Sequence, residues 1–600
     1  MQRLSKNLYL FEDTCQVYVV LSGLEAVLID FGSGAVLDEL PALGVERVQA
    51  VLMTHHHRDQ GQGLARAVER GIPILVPHVE QDLFHSADAH WQAREVLNSY
   101  NNRQDRFSVL EPVPITGTLK DYATYRFGDL SFKVVPTPGH TTGSVTLLAE
   151  IDDQRVAFTG DLIAAPGKVW SLAATQWSYN GAEGVAASVA SLLELKDRRP
   201  HLLLPAHGEA MPEPALAIDL LVERLWELLQ QRGENSRLFQ LREEPYVALT
   251  PHLLWNRTSL AYGYVLVSKN RKALLLDFGY DFMTGAAAGS DRASRRPWLY
   301  TLPVLKRLFG VETIDVALPT HYHDEHVAGF NLLREAEGTR VWAAENFADI
   351  LEQPTHYNLP CLWYDPIKVD RVLPVEVPFR WEEHTLTLYP QPGHTTHAVA
   401  VALEVDGLRV LFSGDQYQNA TGWNYVYNNG FHRDDYKKSA ELYRRLQPDL
   451  VLSGHWEPYR VEPGYFDRLD ERGEILSRLH RELLPSERTD TGGDGLVTLR
   501  PYGLELAVGE KGRLEVAVRN PREQAETATV TLVVPQGWRV EPEFTSSKLE
   551  AGGEACLSFS LLPAPQPVRR ARVAAEVSFG DERSGQAAEA LVTVTAKKGA

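Results

Sequence analysis

Pro319 to Gly329 reads PTHYHDEHVAG, and the fold of the chain turns on it. His321, His323 and His326 stand with Asp324 and Glu325 inside six residues. An apolar run, Ile314 to Leu318, comes before the stretch. A helical pattern, Phe330-Asn-Leu-Leu-Arg-Glu, follows Gly329. Strand, polar turn, helix is an order that places the histidines at the C-terminal end of a strand. Histidines two apart in an extended turn point at one ion, and the next Glu and His address a second beside it.

The stretch has a counterpart. Met53 to Gly63 reads MTHHHRDQGQG, and four further motif pairs surround the two stretches in the same order. AVLIDFG from Ala26 matches ALLLDFG from Ala273, and PTPGHTT from Pro136 matches PQPGHTT from Pro390. VAFTGD ends at Asp161 and VLFSGD at Asp415; LLLPAHG ends at Gly208 and LVLSGHW at Trp456. The step from the PGH histidine to the GD aspartate is 21 residues in both copies, His140 to Asp161 and His394 to Asp415. A lone histidine is most often a polar loop or core residue, and His56, His384 and His397, which lack the pattern, are read that way. Five ordered motifs, duplicated, are not chance. The halves span about 1–235 and 240–485, each an alternation of strands and helices closed by an amphipathic helix, about Ala215 to Arg232 and Tyr465 to Leu484.

Pro485 to Gly495, PSERTDTGGDG, reads as a linker. Beyond it, residues 496–600 carry short β runs such as RLEVAV, ATVTLVV and ARVAAEVSF between turn signals, which predicts an all-β sandwich. Trp538 is read as a packing residue.

Bulk properties narrow the chemistry. The 600 residues carry a net charge of −19, without a Lys/Arg-rich run. That argues against polyanionic nucleic-acid substrates and anionic membrane surfaces. The three cysteines, Cys15, Cys361 and Cys556, form no CxxC pair. No run of about 18 apolar residues or secretory leader is seen, so a cytoplasmic protein is expected. Oligomerisation is left open, a homo-oligomer being possible.

Both halves resemble the metallo-β-lactamase superfamily, whose signature is HxHxDH, then a GH histidine, a GD aspartate and a final histidine. The resemblance covers about 480 residues. It implies an α+β chain of two αββα sandwiches, with metals at one edge of each, followed by an immunoglobulin-like sandwich. In the second half it implies one metal held by His321, His323 and His394, a second by Glu325, His326 and His455, and Asp415 as bridge. Glu325 departs from the usual Asp. In the first half His55, His57 and His140 match the first set. Asp59, His207 and the bridging Asp161 match three of the second set's four. Gln60 stands where the motif has His, and an amide is the weaker ligand. Zinc is the expected ion, two in the second half and one or two in the first, with iron or manganese possible.

The superfamily's chemistries are pruned by the absence of a flavodoxin domain, of a large insert between His321 and His394, and of basic surfaces. What remains is a hydrolase using a metal-bound hydroxide on a small lactone, thioester or carboxylic ester. Asp415 would orient the hydroxide and Glu325 pass its proton to the leaving group, with Asp59 the corresponding acid–base group of the first half. The alternatives are a non-catalytic metal-stabilised scaffold and a phosphodiesterase. Tyr280 to Pro303 lengthens the second half, and Trp423, Tyr425, Tyr427 and Phe431 follow its GD motif as either a substrate lip or core.

Overall fold

The computed structural model describes the chain except residues 98–102, 176–182, 282, 284–288, 426–431, 484–495, 523 and 597–600. The expected linker at 485–495, and Tyr427 and Phe431, lie outside the described residues.

Strand periodicity builds the layers. In Gln16–Ser22 and Glu25–Ile29, alternate side chains point to opposite faces. Val17, Val19, Ala26 and Leu28 join a core with the helical residues Leu64, Ala67 and Phe84. Tyr18, Val20, Val27 and Ile29 join another with Phe132, Leu147 and Phe158 of a second sheet. That second sheet turns Leu148 and Leu203 the other way, onto Val189, Leu192, Ile218 and Leu225 of the helices Val185–Asp197 and Pro214–Arg232. The result is helix, sheet, sheet, helix. The first sheet has seven strands in chain order, from Gln2–Arg3 to Gly117–Leu119, and the second has five.

The second half repeats this plan with sheets of seven and six strands. Val399, Val401 and Leu403 face the inter-sheet core. Ala400 and Leu411 face Tyr436, Tyr443 and Leu476 of the helices Asp435–Leu446 and Tyr465–Leu483. In each half the strand ending at the DFG turn runs parallel to the one entering the histidine motif: Glu25–Ile29 beside Arg47–Leu52, and Lys272–Leu276 beside Thr313–Leu318. The strands entering the GD and final-histidine motifs are likewise parallel. Parallel strands bring their C-terminal ends, and so the motifs, to one edge.

Beyond residue 496 the chain forms two sheets, of four and five strands, over one apolar core, with Trp538 half-buried against it.

The segment 289–300, part of the stretch that lengthens the second half, packs on both halves. Arg295 pairs with Asp324 of the second half's histidine motif, while its neighbours strap the two halves together. Arg296 is buried and donates to both carboxylate oxygens of Asp121 at 2.6 Å. It also donates to the carbonyls of Thr142 and Ser144, all in the first half. Asp291 pairs with the buried Arg103, and Tyr300 sits in the first half's helical core. The acidic and apolar side chains facing the strap explain why it turns that way: a buried guanidinium is tolerated only when paired and fully hydrogen-bonded.

Candidate metal centres

In the second half the motif loop winds one turn of helix, Asp324–Val327, immediately after the extended His323. This turn sends Glu325 and His326 to the same side as His321 and His323. His394 follows the strand His384–Pro390, Asp415 follows Leu408–Gly414, and His455 follows Leu450–Ser453. The donor atoms of His321, His323 and His394 lie within 4.8 Å of one another, as do those of Glu325, His326, Asp415 and His455. All seven residues placed at this centre by sequence come together.

Hydrogen bonds fix which ring nitrogen is free. A carbonyl oxygen only accepts, so His394 Nδ1 donates to Asn424 O at 2.8 Å and His455 Nδ1 to Leu260 O at 3.1 Å. Their Nε2 lone pairs are thereby turned inward. His326 Nδ1 meets Asp277 Oδ2 at 2.7 Å. Thr320 Oγ1 donates to Asp277 at 2.9 Å and stands 3.1 Å from His321 Nδ1. Asp277 therefore orients two imidazoles, one directly and one through a hydroxyl, the usual arrangement behind a metal-binding histidine. Sequence reasoning noted Asp277 only as the end of a strand, although its recurrence as Asp30 in a duplicated DFG turn was the available signal.

The donor set fits a divalent ion. His321 Nε2 and Asp415 Oδ1 are buried without a hydrogen-bond partner. His394 Nε2 and His323 Nδ1 face each other at 3.2 Å. Burial, then the neighbouring imidazoles His326 and His323, holds His321 neutral, so that it offers a lone pair. Burial would raise the Asp415 carboxyl, but His326 and His455 beside it hold it well below the usual range. A carboxylate ringed by imidazoles suits zinc, and also iron or manganese.

The first half repeats the frame. Donor atoms of His55, His57, His140 and Asp161 lie within 4.8 Å of one another. Thr54 Oγ1 donates to Asp30 at 2.9 Å and stands 3.0 Å from His55 Nδ1. His55 Nε2 is buried and unpartnered, and burial followed by the charge of His140 pushes that imidazole down to about 3. The remaining residues diverge. His207 turns Nδ1 to Asp161 at 2.9 Å and Nε2 to Thr14 O at 3.1 Å, whereas His455 presents Nε2 to Asp415 at 2.9 Å. Asp59 lies 3.3 Å from His207 Nε2, with its side chain 43% exposed. Gln60 is fully buried and neither of its amide atoms has a partner.

The three unpatterned histidines stand outside both groups. His56 pairs with the buried Glu80 at 3.0 Å, His397 Nδ1 lies 3.2 Å from Asn346 O, and His384 stacks on Trp381. Trp423 packs half-buried against the helical core under Arg472, not as a lip; Tyr425 is 44% exposed. Aromatic side chains instead crowd the first centre. Trp170 stacks on His207 with ring centroids 4.5 Å apart, and Phe107 meets His57 edge-on at 5.5 Å. Neither lies in a repeated motif, so the sequence offered no signal for them.

The profile of the Metallo-beta-lactamase superfamily matches residues 10–207 and 261–455. The chain belongs to the metallo-beta-lactamase superfamily. Both matched regions carry the five motifs, so each is a copy of the superfamily's domain. Hydroxyacylglutathione hydrolase from Shewanella sp. (strain ANA-3) is 29% identical over 153 residues, 25% of this chain and 45% of that protein. The Halorhodospira halophila protein of the same name is 30% identical over 147 residues, 24% and 45%. The match thus spans less than half the length of these relatives. Probable metallo-hydrolase YybB of Bacillus subtilis is 24% identical over 208 residues, 34% of this chain and 82% of its own. Among solved structures, the metallo-beta-lactamase GOB-18 from Elizabethkingia meningoseptica covers 40% of this chain and 92% of its own at 14% identity, with a TM-score of 0.30. Among the described residues, no helix is long and apolar enough to cross a membrane.

Proposed function

We propose that the second half is a metal-dependent hydrolase of small ester-type substrates, thioesters first, then lactones and carboxylic esters, and that the first half is a metal-binding module with a weakened second position. The reading rests on one observation: two adjoining donor groups, His321/His323/His394 and Glu325/His326/Asp415/His455, whose imidazoles are oriented by Asp277, Asn424 and Leu260. The two relatives named as hydroxyacylglutathione hydrolases favour the thioester.

Divalent ions held there, with zinc as first choice, would activate water and polarise a carbonyl oxygen. The chain's own residues do the rest. Most of the donors are buried, His455 and Glu325 keeping 26% and 14% of their side chains exposed, and burial strengthens the charge interactions at the site. Asp415, held ionised, sits between the two groups and fixes their relative position. Glu325 is half-buried, with its carboxylate 4.0 Å from His455 Nε2. In this reading it takes a proton from the attacking water and delivers it to the leaving oxygen or sulfur. Asp59 has the same place in the first half but stands more open to solvent.

The test is turnover by zinc-loaded full-length protein of a thioester, a lactone and a phosphodiester model compound. Hydrolysis of the thioester or lactone in preference to the phosphodiester is expected. Preference for the phosphodiester, or no turnover by a fully loaded chain, overturns the reading in favour of a phosphodiesterase or a scaffold.

A further inference from the structure

Two backbone bridges mark equivalent loop positions over the two centres. His57 pairs with Ser108 in the first half, and His323 with Leu362 in the second. The residues just before, Phe107 and Cys361, are therefore structural counterparts. Phe107 lays its ring against His57. Cys361 brings Sγ within 4.8 Å of donor atoms of both His323 and Glu325. The Asp324 N–H donates to the Cys361 carbonyl at 2.8 Å, which ties this loop to the histidine motif. The centre beside the thiol contains the buried, unpartnered His321 Nε2 and Asp415 Oδ1. Cys361 belongs to none of the five repeated motifs, is exposed, and forms no disulfide.

We propose that Cys361 is a further metal ligand of the second-half centre, replacing by a thiolate the phenyl ring that the first half keeps in that place. The inference rests on the reading of that half as metal-binding. The thiol loses its proton to solvent and its sulfur lone pair forms the bond to the ion. A soft donor beside imidazoles selects zinc, cobalt or cadmium over manganese. The two halves therefore differ in metal preference, the second being the more thiophilic.

Cobalt makes this visible. The full chain is stripped with a chelator, reloaded with cobalt(II), and compared with Cys361→Ser and with Cys361→Phe, which installs the first half's residue. The native chain should show the visible d–d bands of bound cobalt and a near-ultraviolet thiolate-to-cobalt charge-transfer band. Both variants should keep the d–d bands and lose the charge-transfer band. In the native chain, iodoacetamide labelling of Cys361, followed by peptide mass spectrometry, should slow at least about tenfold on loading, while labelling of Cys556 is unchanged. Bound cobalt without a charge-transfer band in the native chain, or a band that survives both substitutions, overturns the proposal and leaves the metal centre standing. A chain that holds no cobalt removes the metal reading itself, and the proposal with it. The serine variant, a near-isosteric change on an exposed side chain, keeps the test available if the phenylalanine variant does not fold.

Discussion

The imidazole of His326 reaches Asp277 with one nitrogen, at 2.7 Å, and Asp415 with the other, at 3.3 Å. Its counterpart in the first half, Gln60, is as deeply buried, and its side-chain amide touches no hydrogen-bond partner. A single residue thus separates a carboxylate tied to an imidazole from one, Asp30, left with Thr54 alone.

Gln60→His should restore the missing donor. The expected outcome is one more tightly held ion per chain, from about three to about four, counted as four ligands per site. Elemental analysis after loading and exhaustive dialysis checks it. An unchanged count would mean that the flipped ring of His207, not Gln60, limits the second position.

Asp30 also predicts a pH dependence. Burial, opposed by the Thr54 hydrogen bonds, pushes its carboxyl up to about 7. In the unfolded chain it titrates near 4. Between those values the native state binds the extra proton. Its contribution is therefore fully present below about pH 4 and is lost as the pH rises to about 7. At about 1.4 kcal/mol per unit the loss is on the order of a few kcal/mol. In chelator-treated protein, Asp30→Asn should gain stability relative to wild type between pH 5 and pH 8. Denaturant midpoints at the two values measure it, and a gain of the opposite sign rejects the assignment.

The halves should differ in their share of turnover. His323→Ala and Asp415→Ala each remove a donor, and each should lower kcat at least about 100-fold, the upper range for residues that merely orient a ligand. His57→Ala should cost much less and act mainly on stability. Turnover of the three variants on one substrate, with metal content measured, decides the matter. A dead His57→Ala beside a fully active Asp415→Ala would reverse the assignment.

Arg296 should hold the halves together. Removing one member of a buried pair leaves the other charge uncompensated, at a cost of about 3–5 kcal/mol. Arg296→Met should therefore lower the unfolding midpoint clearly, and the double variant with Asp121→Leu should recover part of the loss. Equal midpoints for wild type and Arg296→Met would show that the pair contributes nothing net.

Much of this was legible in the residues because duplication made the signal redundant. The histidine, PGH and GD motifs recur in the same order, with the PGH-to-GD step 21 residues in both copies, and parallel strands carry spaced motifs to one edge. A layered architecture followed from the alternation of strands and helices, and the order of the layers from the resemblance. Three features did not follow. Thr320 and Asp277 act from behind the ligands, where only hydrogen-bond geometry shows their role. Trp170, Phe107 and Cys361 reach the centres from loops outside the repeats, and no periodicity marks such residues. Arg296 and Asp121 are 175 positions apart, and a lone charge in a loop reads as solvated until its partner is seen.

The strap gives the tandem a direction. Arg296 comes from the second copy and Asp121 from the first, so one half is donor and the other acceptor, and the contact is not the self-complementary kind that relates two equal subunits. Discarding the first half would strand a buried guanidinium in the second, whatever chemistry the first half carries. The second copy thus leans on the first for the charge that balances Arg296, and a change confined to the first centre, such as one at Gln60, leaves that support in place.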